Sequence, residues 1–243
     1  GCVQGEAIYQ VASSRDNLEE NVNGYPNTGS ELTFHPSYND YIGVRFRNVN
    51  IPQGAVVTEA YLEFTAYSTV TYGNPSMRIR GVADDDASDF HPDRRNRLRN
   101  LPKTSGITWS MPDFYNNYSY RTPDVSNIVK QIVDRSGWRS GNDMAFVLDD
   151  FVSYRGAHTY NNSPSKAPKL IVKFNGSATP GASATVREHL ISKIDELSAN
   201  GLTPIVDTLL EAANYYGGRD VDYGRKRGES DVSSSVRRST RAV

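Results

Sequence analysis

Apolar and polar residues alternate with a period of two through much of the stretch between residues 6 and 175. From Asp40 to Asn50, Ile42, Val44 and Phe46 fall on one side of an extended chain, with Arg45 and Arg47 on the other. Between Val57 and Ala66, Ala60, Leu62, Phe64 and Ala66 oppose Tyr61, Glu63 and Thr65. Between Ser76 and Ala83, Met77 and Ile79 oppose Arg78 and Arg80. Successive side chains of a strand point to opposite faces, so this pattern predicts antiparallel strands with one buried face and one wet face. Glu6–Ser14, Asp143–Asp149 and Pro168–Phe174 complete the predicted set. Turn residues separate them: Asn23-Gly24, Pro52-Gln53-Gly54, Gly73-Asn74-Pro75, Gly141-Asn142 and Ser163-Pro164.

One segment changes period. Val125, Ile128, Val129, Ile132 and Val133 form a helical stripe, with Thr122 as the expected cap, Pro123 in the first turn and Gly137 at the end. Short, regularly spaced strands with one crossover helix predict an all-β fold: a two-sheet, jelly-roll-like antiparallel sandwich over residues 1–175. A Gly/Ser/Ala/Pro linker is expected at 176–184, a helical hairpin at 185–217 and a polar tail at 218–243. In the hairpin, Thr203 is the expected cap of the second helix and Pro204 its first-turn residue. A hairpin this small lacks a core of its own. Its apolar stripe, including Leu190, Ile194, Leu209 and Ala213, is therefore expected to dock on the sandwich, on another copy, or on a further part of the protein. The second choice gives a homo-oligomer or a filament.

Composition narrows the class. The 27 Lys+Arg residues against 28 Asp+Glu give no global attraction to nucleic acid or to a membrane surface. No apolar run approaches the roughly 20 residues needed to span a bilayer. Tyr outnumbers Phe, 15 to 8, which suits half-solvated sheets better than a helical bundle. The single cysteine, Cys2, excludes an internal disulfide and leaves an intermolecular one open.

Two groups of residues carry candidate chemistry. Asp84, Asp85, Asp86 and Asp89 crowd carboxylates into one loop, an arrangement that Ca²⁺ would neutralise. Ion pairing with Arg94, Arg95, Arg97 and Arg99 would do so equally. Trp109, Tyr115, Tyr118 and Tyr120, with Tyr72 and Trp138, offer flat rings that complement pyranose faces; core packing is the rival use for each. Histidines are scattered without metal-ligand spacing, and no nucleophile-base arrangement is legible. The adjacent pairs Glu19/Glu20 and Asp149/Asp150 would point to opposite faces of a strand, so no enzyme is expected.

Two resemblances add to this. Val44-Arg45-Phe46-Arg47-Asn48-Val49-Asn50-Ile51-Pro52-Gln53-Gly54-Ala55, Ala60-Tyr61-Leu62-Glu63-Phe64, Trp109-Ser110-Met111-Pro112, Thr122-Pro123-Asp124, Gly137-Trp138-Arg139-Ser140-Gly141-Asn142 and Ser163-Pro164-Ser165-Lys166-Ala167-Pro168 resemble a secreted bacterial β-sandwich module akin to carbohydrate-binding jelly rolls. The stretch from Leu197 to Ala212, with Tyr215-Tyr216-Gly217-Gly218 and the run from Val221 to Gly228, resembles part of the von Willebrand factor A region of the type IV pilus tip-adhesin family (PilC/PilY type). In that fold a threonine at the place of Thr203 joins an upstream Asp-x-Ser-x-Ser in holding a cation. Here the literal match, Asp231 to Ser235, follows Thr203, which is read as a helix cap. The resemblances imply an extracellular or cell-surface protein with a role in adhesion or surface assembly, associated with a pilus. A self-assembling filament subunit and a carbohydrate-binding module are the alternatives, with a glycan or a host surface as partner.

Overall fold

A computed structural model describes residues 3–90 and 93–176. The linker from residue 177 onward, the hairpin with Leu190, Ile194, Leu209 and Ala213, the polar tail, and Cys2 lie outside the described residues. Twelve strands and one helix follow in order: β1 Val3–Gln10, β2 Asn17–Asn21, β3 Pro26–Asn27, β4 Glu31–Phe34, β5 Asn39–Val49, β6 Val56–Thr65, β7 Ser76–Val82, β8 Lys103–Ser110, β9 Ser119–Arg121, α1 Ser126–Val133, β10 Asn142–Val152, β11 Arg155–His158 and β12 Lys169–Gly176. Gly176, expected to open the linker, closes β12.

The strands form a four-stranded sheet in the order β1-β12-β6-β9 and a six-stranded sheet in the order β3-β2-β5-β10-β7-β8, while β4 and β11 make a separate ribbon. All pairings are antiparallel. The predicted faces are the observed ones. Ala60, Leu62 and Phe64 of β6 are buried against Ile42, Val44 and Phe46 of β5 and Met77 and Ile79 of β7 in a single core cluster. Apolar side chains alternate inward from both sheets, and their removal from water holds the layers together.

Several strands carry little apolar signal, and the helix starts later than expected. Thr122 does not cap α1. Its backbone N–H donates to Leu62 O at 2.9 Å and its hydroxyl accepts from Leu62 N at 3.1 Å. The Val125 N–H donates to Ala60 O at 2.8 Å. These bonds keep the chain extended along β6 through Val125, and Asp124 then accepts from the Ser126 N–H at 2.9 Å. The helix ends at Asp134, short of Gly137. It lies beside the edge of the six-stranded sheet, where Gln131 Oε1 accepts from the Ser105 N–H of β8 at 3.1 Å and Nε2 donates to Ser105 Oγ at 2.7 Å.

The outer face of the six-stranded sheet is drier than the alternation predicts. The connection from β7 to β8 folds back over it and buries Phe90 and Leu98 with Leu18, Ala145 and Val147. Gly43 of β5 makes room, since a Cβ there would sit 2.7 Å from Leu98 and 2.8 Å from Phe90. Arg45 is consequently buried rather than wet. Its Nη1 donates to Asp16 Oδ1 at 2.5 Å, its Nε to Ala87 O at 2.6 Å, and its Nη2 to Asp143. Asp16, itself fully buried, also pairs with Arg47 at 2.8 Å, out of line for a hydrogen bond.

Glu19 is a second buried charge, held by amides instead of a cation. Its Oε1 accepts from the Thr33 N–H at 2.5 Å and from Asn39 Nδ2 at 2.8 Å, and its Oε2 accepts from Asn27 Nδ2 at 2.9 Å. Burial raises its pKa above the ordinary glutamate value, against the pull of these hydrogen bonds. A raised folded pKa means that its contribution to stability is fully present at acid pH and is lost as pH rises through the folded value. Glu19→Gln keeps the shape, and its amide can face Asn27 once Asn27 turns its own carbonyl inward. This variant should gain stability relative to the parent between acid and neutral pH. Urea midpoints that differ by a constant amount across that range would refute the assignment.

Candidate functional site

Because neighbouring strands run antiparallel, the ends of β6, β8 and β10 and the starts of β5, β7 and β9 meet at one end of the sandwich. Loops 66–75 and 111–118 and the turn at 153–154 gather there, and the β4–β11 ribbon closes it. The ribbon turns Leu32, Phe34 and Ala157 into the core, where Phe34 meets Phe64 edge-on at 5.5 Å and stacks on Phe151 at 6.0 Å. Alternation places Glu31, Thr33, Gly156 and His158 on its other face.

Loop 111–118 is fixed along its length. Val70 and Phe114 exchange backbone hydrogen bonds of 2.8 and 3.0 Å. The Asn116 N–H donates to Thr69 Oγ1 at 3.0 Å, and the Asn117 N–H donates to Ala66 O at 2.9 Å. Asn117 sits in the left-handed region at φ 67°, and its Oδ1 accepts from Lys166 Nζ at 2.7 Å. The Tyr118 N–H closes a tight turn on Tyr115 O at 3.0 Å, while the Tyr115 N–H donates to the Tyr120 hydroxyl at 2.8 Å. This scaffold holds Tyr115 and Tyr118 in solvent, 50% and 68% exposed, with ring centroids 6.4 Å apart and nearly perpendicular. Tyr72, 66% exposed, stands on the neighbouring loop. Buried Arg155 ties the two loops, donating from Nη1 to Tyr72 O and from Nε to Pro112 O, both at 2.9 Å.

A polar cluster lies on the ribbon beside these rings. The Tyr154 hydroxyl donates to Glu31 Oε1 and lies 3.5 Å from Ser68 Oγ. Burial, and then the bond to Glu31, push the Tyr154 pKa up to about 12. Burial also raises the Glu31 carboxyl above its ordinary value, opposed by that same bond. His158 faces Glu31 across the ladder, with Nδ1 2.6 Å from Asn162 Oδ1 and Nε2 3.2 Å from Asn117 Oδ1. Its ring meets Tyr67 edge-on at 5.3 Å. The region therefore combines exposed flat rings with carboxylate, amide and hydroxyl groups suited to hydrogen-bonding an uncharged polar ligand.

The sequence-derived aromatic set divides between this end and the core. Tyr115 and Tyr118 are the solvent-facing members. Trp109 is 3% exposed and packs between Phe64 and Phe114, so it offers no free face to a ligand. Tyr120 stacks on Phe114 at 4.3 Å and serves as a brace. Trp138 is buried, with its Nε1 donating to Ile51 O at 2.8 Å.

The acidic loop does not gather around one point. Asp85 pairs with Arg135 at 2.5 Å, Asp86 accepts from the Asp143 N–H at 2.8 Å, Asp84 accepts from the Asp86 N–H at 3.4 Å, and Asp89 pairs with Arg15 at 2.7 Å. Among the described residues no group of three or more His, Cys, Asp and Glu side chains is placed to hold a metal ion. Asp89 instead helps line an open recess of about 470 Å³ with Arg45, Arg47, Asn48, Ser88 and Asp143. The arginine run is tied down locally: Arg95 covers the Tyr25 ring at 3.9 Å, Arg97 donates to Ser88 Oγ at 3.0 Å, and Arg99 pairs with Asp40 at 2.5 Å. The adjacent acids diverge as expected of a strand. Glu20 turns away from Glu19 to accept from the Leu98 N–H, and buried Asp149 binds Arg78 and Arg80 while Asp150 stays exposed.

No protein family and no curated protein matches the chain. Among solved structures, a carbohydrate-binding module (CBM28) specific for non-crystalline cellulose is 13% identical with a TM-score of 0.29, over 70% of this chain and 87% of that one. An aminopeptidase from a marine sediment Thaumarchaeota archaeon is 9% identical with a TM-score of 0.26, over 70% and 35% of the two chains. A mutant VP2 protein of infectious bursal disease virus, in derived T=1 particles, is 9% identical with a TM-score of 0.23, over 72% and 37%. At scores this low, none of the three says what this chain binds.

Proposed function

We propose that the sandwich is a non-enzymatic carbohydrate-binding module whose ligand lies across the Tyr72, Tyr115 and Tyr118 end. The observation that carries this is the exposure of Tyr115 and Tyr118 on a hydrogen-bonded turn. Leaving large rings in water forgoes the stabilisation their burial would give, and bracing their loop fixes them in place before any ligand arrives. Tyrosine loses few rotamers on binding and presents both an apolar face and a hydroxyl, which suits a sugar ring with its hydroxyl rim. An adhesive role then follows through glycan contact. Filament assembly would depend on residues beyond 176.

Affinity gel electrophoresis and calorimetry against soluble neutral polysaccharides test this reading. Tyr115→Ala and Tyr118→Ala should each weaken binding by about tenfold or more, equivalent to about 1.4 kcal/mol. Both side chains are solvent-facing, so the melting temperature should stay near that of the parent. Unchanged affinity in both variants would remove the tyrosine surface from consideration.

A further inference from the structure

Resting on that reading, we propose that Glu31 is the specificity-determining residue of the site and selects an uncharged glycan through hydroxyl donation to its carboxylate. Its position is built rather than incidental. A Cβ at residue 156 would fall 1.8 Å from Glu31 Oε1 and 2.9 Å from the Tyr154 hydroxyl, so a glycine there is what lets the carboxyl lie across the ribbon. The Tyr154 hydroxyl fixes Oε1 by donating to it. Glu31 is half-buried, and its Oε2 receives no protein hydrogen bond among the described residues yet is not sealed from solvent, which leaves an oriented acceptor.

The charges around it point to the same class of ligand. Asp113, half-exposed on the tyrosine loop, adds a second carboxylate. Arg155, which answers it at 3.3 Å, is buried and already donates to the carbonyls of Tyr72, Pro112 and Tyr154. Lys166 is held by Asn117. His158, opposite Glu31, is buried with both ring nitrogens at asparagine side chains. The charged groups left open to a ligand are thus carboxylates, hydrogen-bond acceptors that attract hydroxyl donors and repel a polyuronate. A carboxylate fixed at one oxygen and open at the other takes one hydroxyl strongly, and the neighbouring amides of Asn116 and Asn117 lie on the adjoining turn.

The full chain should be titrated with a neutral soluble β-glucan, xylan and mannan, and with polygalacturonate. The expected result is binding to at least one neutral polymer and at least tenfold weaker binding to polygalacturonate. Glu31→Ala should lose about tenfold in affinity for the neutral polymer. Glu31→Gln, which removes the charge with little change of shape, should narrow the gap between neutral and acidic polymers. Tyr154→Phe, which frees the carboxyl without deleting it, should fall between parent and Glu31→Ala and covers the case in which Glu31→Ala fails to fold. If Tyr118→Ala loses binding while the Glu31 and Tyr154 variants keep parental affinity and selectivity, the role of Glu31 is overturned and the tyrosine surface stands. Equal binding of polygalacturonate by the parent also overturns it. If the parent binds no glycan, the underlying function falls with it.

Discussion

Phe64→Ala is expected to destabilise the sandwich by about 3–5 kcal/mol, the cost of removing a large aromatic from a packed core and leaving a cavity behind. Phe64 is fully buried on β6, meets Phe34 edge-on at 5.5 Å and stacks on Trp109 at 6.1 Å, so it joins the ribbon to both sheets. Tyr61, on the opposite face of the same strand, is half-buried, with the Arg121 guanidinium 5.9 Å from its ring centroid. Tyr61→Ala should cost about 1 kcal/mol or less by comparison. Urea unfolding monitored by tryptophan fluorescence checks both. If Tyr61→Ala proved the costlier change, β6 would be paired one residue out of register, since a single slip exchanges the two faces.

Arg45→Ala should rival that loss, at about 3–5 kcal/mol, for an electrostatic reason. The substitution strips the main partner from Asp16, which is fully buried, and from Asp143, leaving the 2.8 Å contact from Arg47 as the sole remaining ion pair to Asp16 among the described residues. Desolvating an ion costs several kcal/mol even after relaxation, and the Arg47 contact, out of line for a hydrogen bond, offsets only part of that cost for Asp16. A double variant, Arg45→Met with Asp16→Asn, should therefore be less destabilised than the sum of its single changes. Strict additivity in a double-mutant cycle would show that Arg45 and Asp16 do not act as a unit.

The period-two pattern was sufficient to find β5, β6 and β7, because each sets an apolar row against the core; on β5 it missed that the other row, with Gly43 and Arg45, is covered by the connection from β7 to β8. It gave no signal for β2, whose Asn-Leu-Glu-Glu-Asn holds a single large apolar residue and so no alternation to follow. There the buried carboxylates are satisfied by Thr33, Asn39 and Asn27 on one side and by the Leu98 and Arg99 N–H groups on the other, none of them on β2 itself. It failed also for β8, an edge strand where only Ile107 and Trp109 of Lys103–Ser110 are large and apolar. Recognising that strand would have sent Trp109 to the core, since it alternates inward with Ile107.

The candidate site was half legible. Tyr115 and Tyr118 stand out as aromatic residues among Asn and Ser, but Glu31 and Tyr154 meet only through the pairing of β4 with β11. No local spacing announces a contact between residues 123 apart. The available signal was the alternation Tyr154, Gly156, His158, which puts a hydroxyl, a gap and an imidazole on one side of an extended chain. What fills the gap is decided by the partner strand.

The Gln131–Ser105 contact has a consequence for how the module meets its own kind. A sheet's last strand ordinarily offers N–H and C=O groups to any passing strand, which is how folded domains seed aggregates. At Ser105 that offer is withdrawn, because a side-chain amide from α1 already makes the bond an incoming backbone would make. The crossover that carries the chain from β9 to β10 is thus also a stopper: strand addition along β8 must first dislodge Gln131 from a helix whose apolar stripe is sunk in the core.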